Sequence, residues 1–226
     1  MKVVVLFDID GTLLTFDGPP PGPGRTALDR AMFALYGVEG ATRGMRVAGG
    51  TDLALARTLL TRSGLPVNDT AIAQLLSTYL EQLAGVLRER KYRPVGDVEG
   101  CVLALRERGC VVGLATGNVR DGARHKLTSA GIHPHFDLEM GGYGSDAEVR
   151  ADIVRCAAVR CGAAAGDRLV VVGDTEFDVM AARAVGARCV GIANGDAARA
   201  ELEAAGADEI AVECGKELLE AVFGSS

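Results

Sequence analysis

The chain has 226 residues, 48% of them apolar and 24% charged, and 30 acidic against 24 basic side chains leave a formal charge of -6. This is the composition of a folding globular chain, and with no run of Lys or Arg, 4% aromatic residues and no Trp it offers no footprint for a nucleic-acid backbone or an anionic membrane surface. No stretch approaches the roughly 18 continuous apolar residues of a membrane-spanning helix, and the apolar start at Val3 runs into Asp8 and Asp10 too soon for a signal-peptide core, so a cytoplasmic protein is expected.

Residues 3–7 form a short, continuous, β-branched apolar run, the pattern of a strand buried on both faces of a parallel sheet. The next such run, at 110–115, comes about 100 residues later, where a simple crossover needs a few tens, so an insertion is expected between them. It opens with a proline- and glycine-rich linker at 17–24 and continues with helical patterns at 25–36, 52–63 and 70–90. In the last, Ile72, Leu75, Leu76, Tyr79, Leu80, Leu83, Val86 and Leu87 step by three and four residues into one apolar stripe. Pro94 marks the return, and a helix over 98–108 stops at Gly109. Further strands are expected at 168–173 and 188–193. The division is a core of residues 1–15 and 94–226 and an inserted helical unit of residues 16–93. Cys101, Cys110, Cys156, Cys161, Cys189 and Cys214 form no Cys-x-x-Cys pair and read as small buried hydrophobes.

In a parallel α/β sheet, functional groups gather where strands end. Asp8 and Asp10 are two residues apart in extended chain and point the same way; two carboxylates facing one spot repel unless a cation or a shared proton intervenes. Gly11 then lets the backbone bend. Asp174 and Asp178 sit on a separate strand-to-helix turn, where a helix starting at Thr175 brings both towards one place. Carboxylates without His or Cys make a hard oxygen site suited to Mg²⁺.

Asp8-x-Asp10-Gly11-Thr12, Thr116-Gly117-Asn118 and Gly173-Asp174-x-x-x-Asp178, in this order on strand ends, resemble the haloacid dehalogenase-like superfamily of hydrolases, along the whole chain. The resemblance is to its phosphoglycolate phosphatase-like members, whose helical cap follows the first motif, and Gly50-Thr51-Asp52 looks like a cap segment of that group. It implies an α/β fold, a Rossmann-like parallel-sheet core with an inserted α-helical cap, and a Mg²⁺-dependent phosphatase acting on a small phosphorylated metabolite through an aspartyl-phosphate. By the same resemblance Asp8 is the nucleophile and Asp10 the general acid and base. Asp8, Asp10 through its carbonyl, and Asp174 hold Mg²⁺, with Asp178 orienting that shell. Gly11, Thr116, Gly117 and Asn118 receive the phosphoryl group, the last three as a strand passes into a helix. Asp10 disfavours dehalogenation, which has no alkoxide to protonate, and among Lys2, Lys91, Lys126 and Lys216 none suits a Schiff base.

One departure stands out. The family's lysine before the helix that leads into the third motif falls here on Glu148, so Arg150 is expected to take its place in catalysis and substrate binding, unless it merely pairs with Asp146 four residues away. His125, His133 and His135 read as surface residues, and Arg25, Arg46 and Arg57 as the solvated face of the cap. Thr51-Asp52 is either a helix start or a substrate contact. Two other functions share these residues: a phosphomutase, and a non-catalytic metabolite-binding protein. A nucleotide-binding oxidoreductase lacks its glycine fingerprint.

Overall fold

The computed structural model describes residues 1–224, so the expected core range ends two residues beyond the description. Strand β1 is Val3–Phe7, as its apolar run requires, and its alternation splits the side chains between two faces. Val5 and Phe7 enter one hydrophobic cluster and Val4 and Leu6 another, so the strand is covered on both sides. The chain then turns through Gly11 into the short β2, Leu14–Phe16. Three helices follow: α1, Pro23–Tyr36; α2, Asp52–Arg62; and α3, Asp69–Glu89. Helix α1 begins two residues ahead of expectation because proline is tolerated in a first helical turn, where its missing N–H has no partner to lose. Strand β3, Tyr92–Pro94, returns the chain by pairing antiparallel with β2, Phe16 opposite Tyr92.

From there helices and strands alternate: α4, Val98–Glu107; β4, Val111–Ala115; α5, Arg120–Ser129; β5, Gly141–Gly142; α6, Arg150–Arg160; β6, Arg168–Gly173; α7, Glu176–Ala184; β7, Arg188–Ile192; α8, Asp196–Ala205; β8, Glu209–Ala211; and α9, Lys216–Phe223. The six-stranded sheet runs β5-β4-β1-β6-β7-β8, all parallel. β1 thus lies between β4 and β6, with Phe7 level with Leu114 on one side and Val172 on the other. That register sets Asp8, Thr116 and Asp174 side by side at the carboxyl edge of three adjacent strands, where the strand order reverses direction.

In α3, Ile72, Leu75, Tyr79, Leu83, Val86 and Leu87 are buried, the expected stripe, and α1 packs along it through Ala27, Leu28, Ala31 and Met32. The two crossings into this helical unit are tied rather than loose. Phe16 and Tyr92 meet edge to face with centroids 6.4 Å apart, and Arg90 donates to the carbonyls of Pro19 (3.0 Å) and Pro21 (2.8 Å), fixing the proline segment. Loop 37–51 is braced by Arg25, whose Nε donates to Thr42 Oγ1 at 2.9 Å and whose Nη2 donates to the Met45 carbonyl at 2.8 Å, while Asp29 accepts from the Thr42 amide and hydroxyl.

Helix α2 rests its first residue on the core. Thr51 caps it by accepting from the Ala54 amide, the Asp52 amide donates to the Gly117 carbonyl at 2.8 Å, and Asp52 Oδ2 accepts from the Val119 amide at 2.8 Å. Arg57 with Glu148 and Arg46 with Glu176, each 2.7 Å apart, add exposed ion pairs, which contribute little by comparison. Burial pushes the Asp52 carboxyl up to about 6, with Lys126 and the Val119 amide only partly opposing. Between the unfolded value near 3.8 and about 6 the folded chain binds the extra proton, so this group costs stability as pH rises through that window. Asp52→Asn keeps the acceptor for Val119 and drops the charge. It should raise Tm at pH 7.5 by several degrees, for a difference of about 2–3 kcal/mol, and the gain should shrink towards pH 4. Thermal melts at both pH values check this; an unchanged or lower Tm at pH 7.5 contradicts it.

Candidate active site

A cavity of about 260 Å³ lies between the carboxyl edge of the sheet and the three inserted helices. Asp8, Asp10, Gly11, Thr116, Gly117, Asn118, Arg150 and Asp174 line its floor, while Arg25, Gly50, Asp52, Tyr79 and Tyr92 are among the residues that close it from the other side. The expected residues from three separate motifs therefore meet in one place.

Asp8 follows directly from β1, its amide held by the Val172 carbonyl at 2.8 Å. Its side chain is buried beside Asp174 and Asp178, and an oxygen from each of the three lies within 4.8 Å of the others. Burial pushes the Asp8 carboxyl up to about 6 against the pull of Arg150, and Asp178 and Asp10 push the same way. Burial and then Asp8 hold Asp174 well above the ordinary carboxylate range. Gly11, at φ +82°, turns the chain over the Asp174 carboxylate, and a β-carbon there would collide with it. Like charges crowded in this way, with hard oxygen donors, are the donor set that a divalent ion fits.

Asp178 sits differently from the other two. Thr175 is the N-cap of α7, and Asp178 Oδ2 accepts from the Thr175 amide (3.1 Å) and hydroxyl (2.7 Å) as the return half of a capping box. Its Oδ1 accepts from Arg150 Nη2 at 2.5 Å. The same Nη2 lies 2.7 Å from Asp8 Oδ1, so one buried guanidinium bridges the end of β1 and the first turn of α7. Burial disfavours its charge, but Asp178 and Asp8 outweigh that and hold it protonated. The alternative pairing of Arg150 with Asp146 is overturned: Asp146 takes a forked pair of bonds from Arg160, at 2.6 and 2.8 Å. Glu148, at the lysine position, faces Arg57 instead.

At the end of β4, Thr116 Oγ1 accepts from the Asn118 amide (3.3 Å) and side-chain Nδ2 (2.8 Å), and Asn118 Nδ2 also donates to Asp10 Oδ2 at 2.8 Å. The Asn118 amide, expected to face a phosphoryl group, is thus turned to its own loop. Thr51 and Asp52 prove to be both helix start and cavity wall. Arg25 reaches the cavity while bracing its loop; Arg46 and Arg57 pair across the boundary between the helices and the core. The histidines are half-buried rather than fully exposed, His135 lying 3.7 Å from Glu99. Five cysteines are buried and Cys156 only partly so; burial pushes the Cys101 and Cys161 thiols up to about 11.

Lys126 is the residue that the sequence reading left without a role. It is buried on α5, and its Nζ donates to Asp10 Oδ2 at 2.6 Å and to Asn118 Oδ1 at 2.5 Å. Burial opposes its charge, yet Asp10, Tyr79, Tyr92 and Asp52 hold its pKa well above the ordinary lysine value. Burial likewise opposes the charge on Asp10, but Lys126 and Asn118 bring its carboxyl below the usual range. The available signal was its place on α5, three residues after Ala123 and next to Leu127, on the buried side of the helix.

Among the described residues no helix is long and apolar enough to cross a membrane. Solved structures with this fold include a hydrolase from Pseudomonas syringae, at TM-score 0.70 and 20% identity over 99% of this chain and 98% of that one. Among curated relatives, "Probable phosphatase IndB" of Dickeya dadantii (strain 3937) is 29% identical over 91% of this chain and 87% of its own length. The phosphoglycolate phosphatase of Yersinia pestis is 28% identical over 84% of this chain and 81% of its own. The family-wide sequence profile described as haloacid dehalogenase-like hydrolase matches residues 3–186. A match that runs from the first strand past the end of α7 takes in the three strand ends that carry Asp8, Thr116 and Asp174, and on that ground the chain belongs to the haloacid dehalogenase-like hydrolases.

Proposed function

We propose that this hydrolase removes the phosphoryl group from a small phosphomonoester, with Asp8 as nucleophile and Mg²⁺ as its metal. The observation that carries the reading is Asp8 itself: a buried carboxylate on the floor of a covered cavity, with Arg150 on one side and Asp10 facing the same space. Residues 1–15 and 94–226 act as the catalytic core and residues 16–93 as its cap. Relatives that carry phosphatase names support water as the acceptor, over transfer to a second sugar position.

Asp8, Asp174 and the Asp10 carbonyl would hold the ion, and Asp178, with both oxygens already engaged, would keep Arg150 and the α7 turn in place beside it. When bound, Mg²⁺ offsets the charge of the carboxylates and of the phosphoryl oxygens. Asp10, ionised in the free site, takes up a proton as the anionic substrate enters; Asp8 attacks phosphorus, the leaving oxygen departs with the bonding pair and that proton, and Asp10 then takes a proton from the water that releases phosphate. Thr116, whose oxygen already accepts from Asn118, has its hydroxyl proton left to give to a phosphoryl oxygen, and the Gly117 amide lies at the same strand end. Arg150 supplies fixed positive charge, and its buried Nε has no protein partner. The cap excludes bulk water and limits the substrate to what about 260 Å³ holds, nearer a sugar phosphate than a phosphoprotein. Free thiols throughout fit a cytoplasmic location.

Asp8→Asn should abolish phosphate release across a panel of phosphoglycolate, sugar phosphates and nucleotides, a loss on the order of 10⁴-fold. Chelation of divalent ions should do the same to the wild type. Turnover retained in either case refutes the reading. Arg150→Lys keeps the charge but not the fork, and should fold while losing about 10²-fold in kcat. Arg150→Met leaves two buried carboxylates without their cation and should cost about 3–5 kcal/mol in denaturant unfolding. A Met variant as stable as the wild type would show that the bridge is not holding the site.

A further inference from the structure

We propose that Lys126 is a positioning residue for the acid–base step: it fixes the carboxylate of Asp10, beside the Tyr92 hydroxyl, so that the oxygen not held by Lys126 and Asn118 faces the reacting phosphoryl group. The inference deepens the phosphatase reading and rests on it.

The geometry forms a closed network. Asp10 Oδ2 receives Lys126 Nζ at 2.6 Å and Asn118 Nδ2 at 2.8 Å, and Asn118 Oδ1 receives Lys126 Nζ at 2.5 Å. The amide orientation of Asn118 is determined by its neighbours, because a flip would set NH₂ against an ammonium and an oxygen against a carboxylate. One Asp10 oxygen is thus held from two directions, while about 41% of the side chain's surface stays open on the cavity side. Thr116 is part of the same network through Asn118, so the contact to Lys126 couples the acid–base group to the strand end that receives phosphate. The Tyr92 ring, 5.8 Å from Nζ, encloses the ammonium from the β3 side.

Stability alone is a weak reason for such a group. A buried ion pair roughly breaks even against apolar side chains of the same volume, and Ala123 and Leu127 already fill the neighbouring buried positions of α5. What apolar packing cannot do is hold a carboxylate in one rotamer at the edge of a reaction cavity.

The test uses the full-length protein with Mg²⁺ and two probes, p-nitrophenyl phosphate, whose leaving group needs no proton, and β-glycerophosphate, whose alkoxide does. Lys126→Met should lower kcat/KM for β-glycerophosphate by about 10²-fold and for p-nitrophenyl phosphate by no more than about threefold. In steady-state kcat with p-nitrophenyl phosphate, where Asp10 must still activate water, Lys126→Met should be slow, and adding it to Asp10→Asn should cost no more than about twofold further. If the Met variant does not fold, Lys126→Gln, whose shorter and uncharged side chain gives up the ionic hold on Asp10, carries the same leaving-group comparison. Equal losses on both probes, no loss on either, or additivity with Asp10→Asn overturns the proposal. Asp8→Asn is run alongside: if it stays inactive, those results bear on Lys126 alone, whereas an active Asp8→Asn removes Asp8 as nucleophile and, with it, the reaction scheme on which the proposal rests.

Discussion

Four acidic side chains crowd the carboxyl edge of three adjacent strands, and the arrangement of the surrounding groups follows from their mutual repulsion. Asp8, Asp174 and Asp178 approach within 4.8 Å of one another, and Asp10 faces the same cavity. Asp8 and Asp178 are buried from water, so their charges are costly to hold. Two buried cations divide the work: Arg150 spans Asp8 and Asp178, and Lys126 pairs with Asp10. Among the described residues the Asp174 carboxylate accepts a single hydrogen bond, at 3.4 Å from the Thr12 hydroxyl, which suits the metal-holding role proposed for it. The division also separates roles, since the group proposed to attack and the group proposed to move protons answer to different cations.

Sheet order makes the crowding unavoidable. With β1 flanked by β4 and β6, the residues that leave those strands must share one edge, and the chain has to turn sharply there to avoid itself. Gly11 provides one such turn over Asp174, and the inserted helices are attached just beyond it through the β2–β3 pair. Attachment beside Asp8 lets the helices cover the cavity without crossing the sheet. Asp52 joins the inserted helices to the segment that follows Thr116 through two backbone groups, the Gly117 carbonyl and the Val119 amide.

Much of this was legible in the sequence because the informative patterns were long or chemically unusual. Five consecutive apolar residues ahead of Asp8 marked a doubly buried strand, the stripe from Ile72 to Leu87 marked a helix, and paired acids after a strand marked the site. The β2–β3 pair was not legible, because strands of three residues carry no periodicity and their pairing joins positions far apart in the chain. The proline segment read as a free linker because the Arg90 bonds that hold it come from the far end of α3. Asp146 looked like a partner for Arg150 at helical spacing, but α6 starts at Arg150, so no helical turn brings the two together, and Arg160 reaches Asp146 instead. Lys126 was passed over because α5 is polar in composition; only the burial of Ala123 and Leu127 shows which side of it faces inward.

The account depends most on Asp8 becoming phosphorylated during turnover. Quenching the enzyme in acid while it turns over p-nitrophenyl phosphate, digesting it and sequencing the peptides by mass spectrometry tests this directly. The prediction is one added phosphoryl group on the peptide that contains Asp8, assigned to that residue and removed by hydroxylamine. A phosphoryl group on a different side chain, or steady turnover with the Asp8 peptide never modified under the same quench, would contradict it.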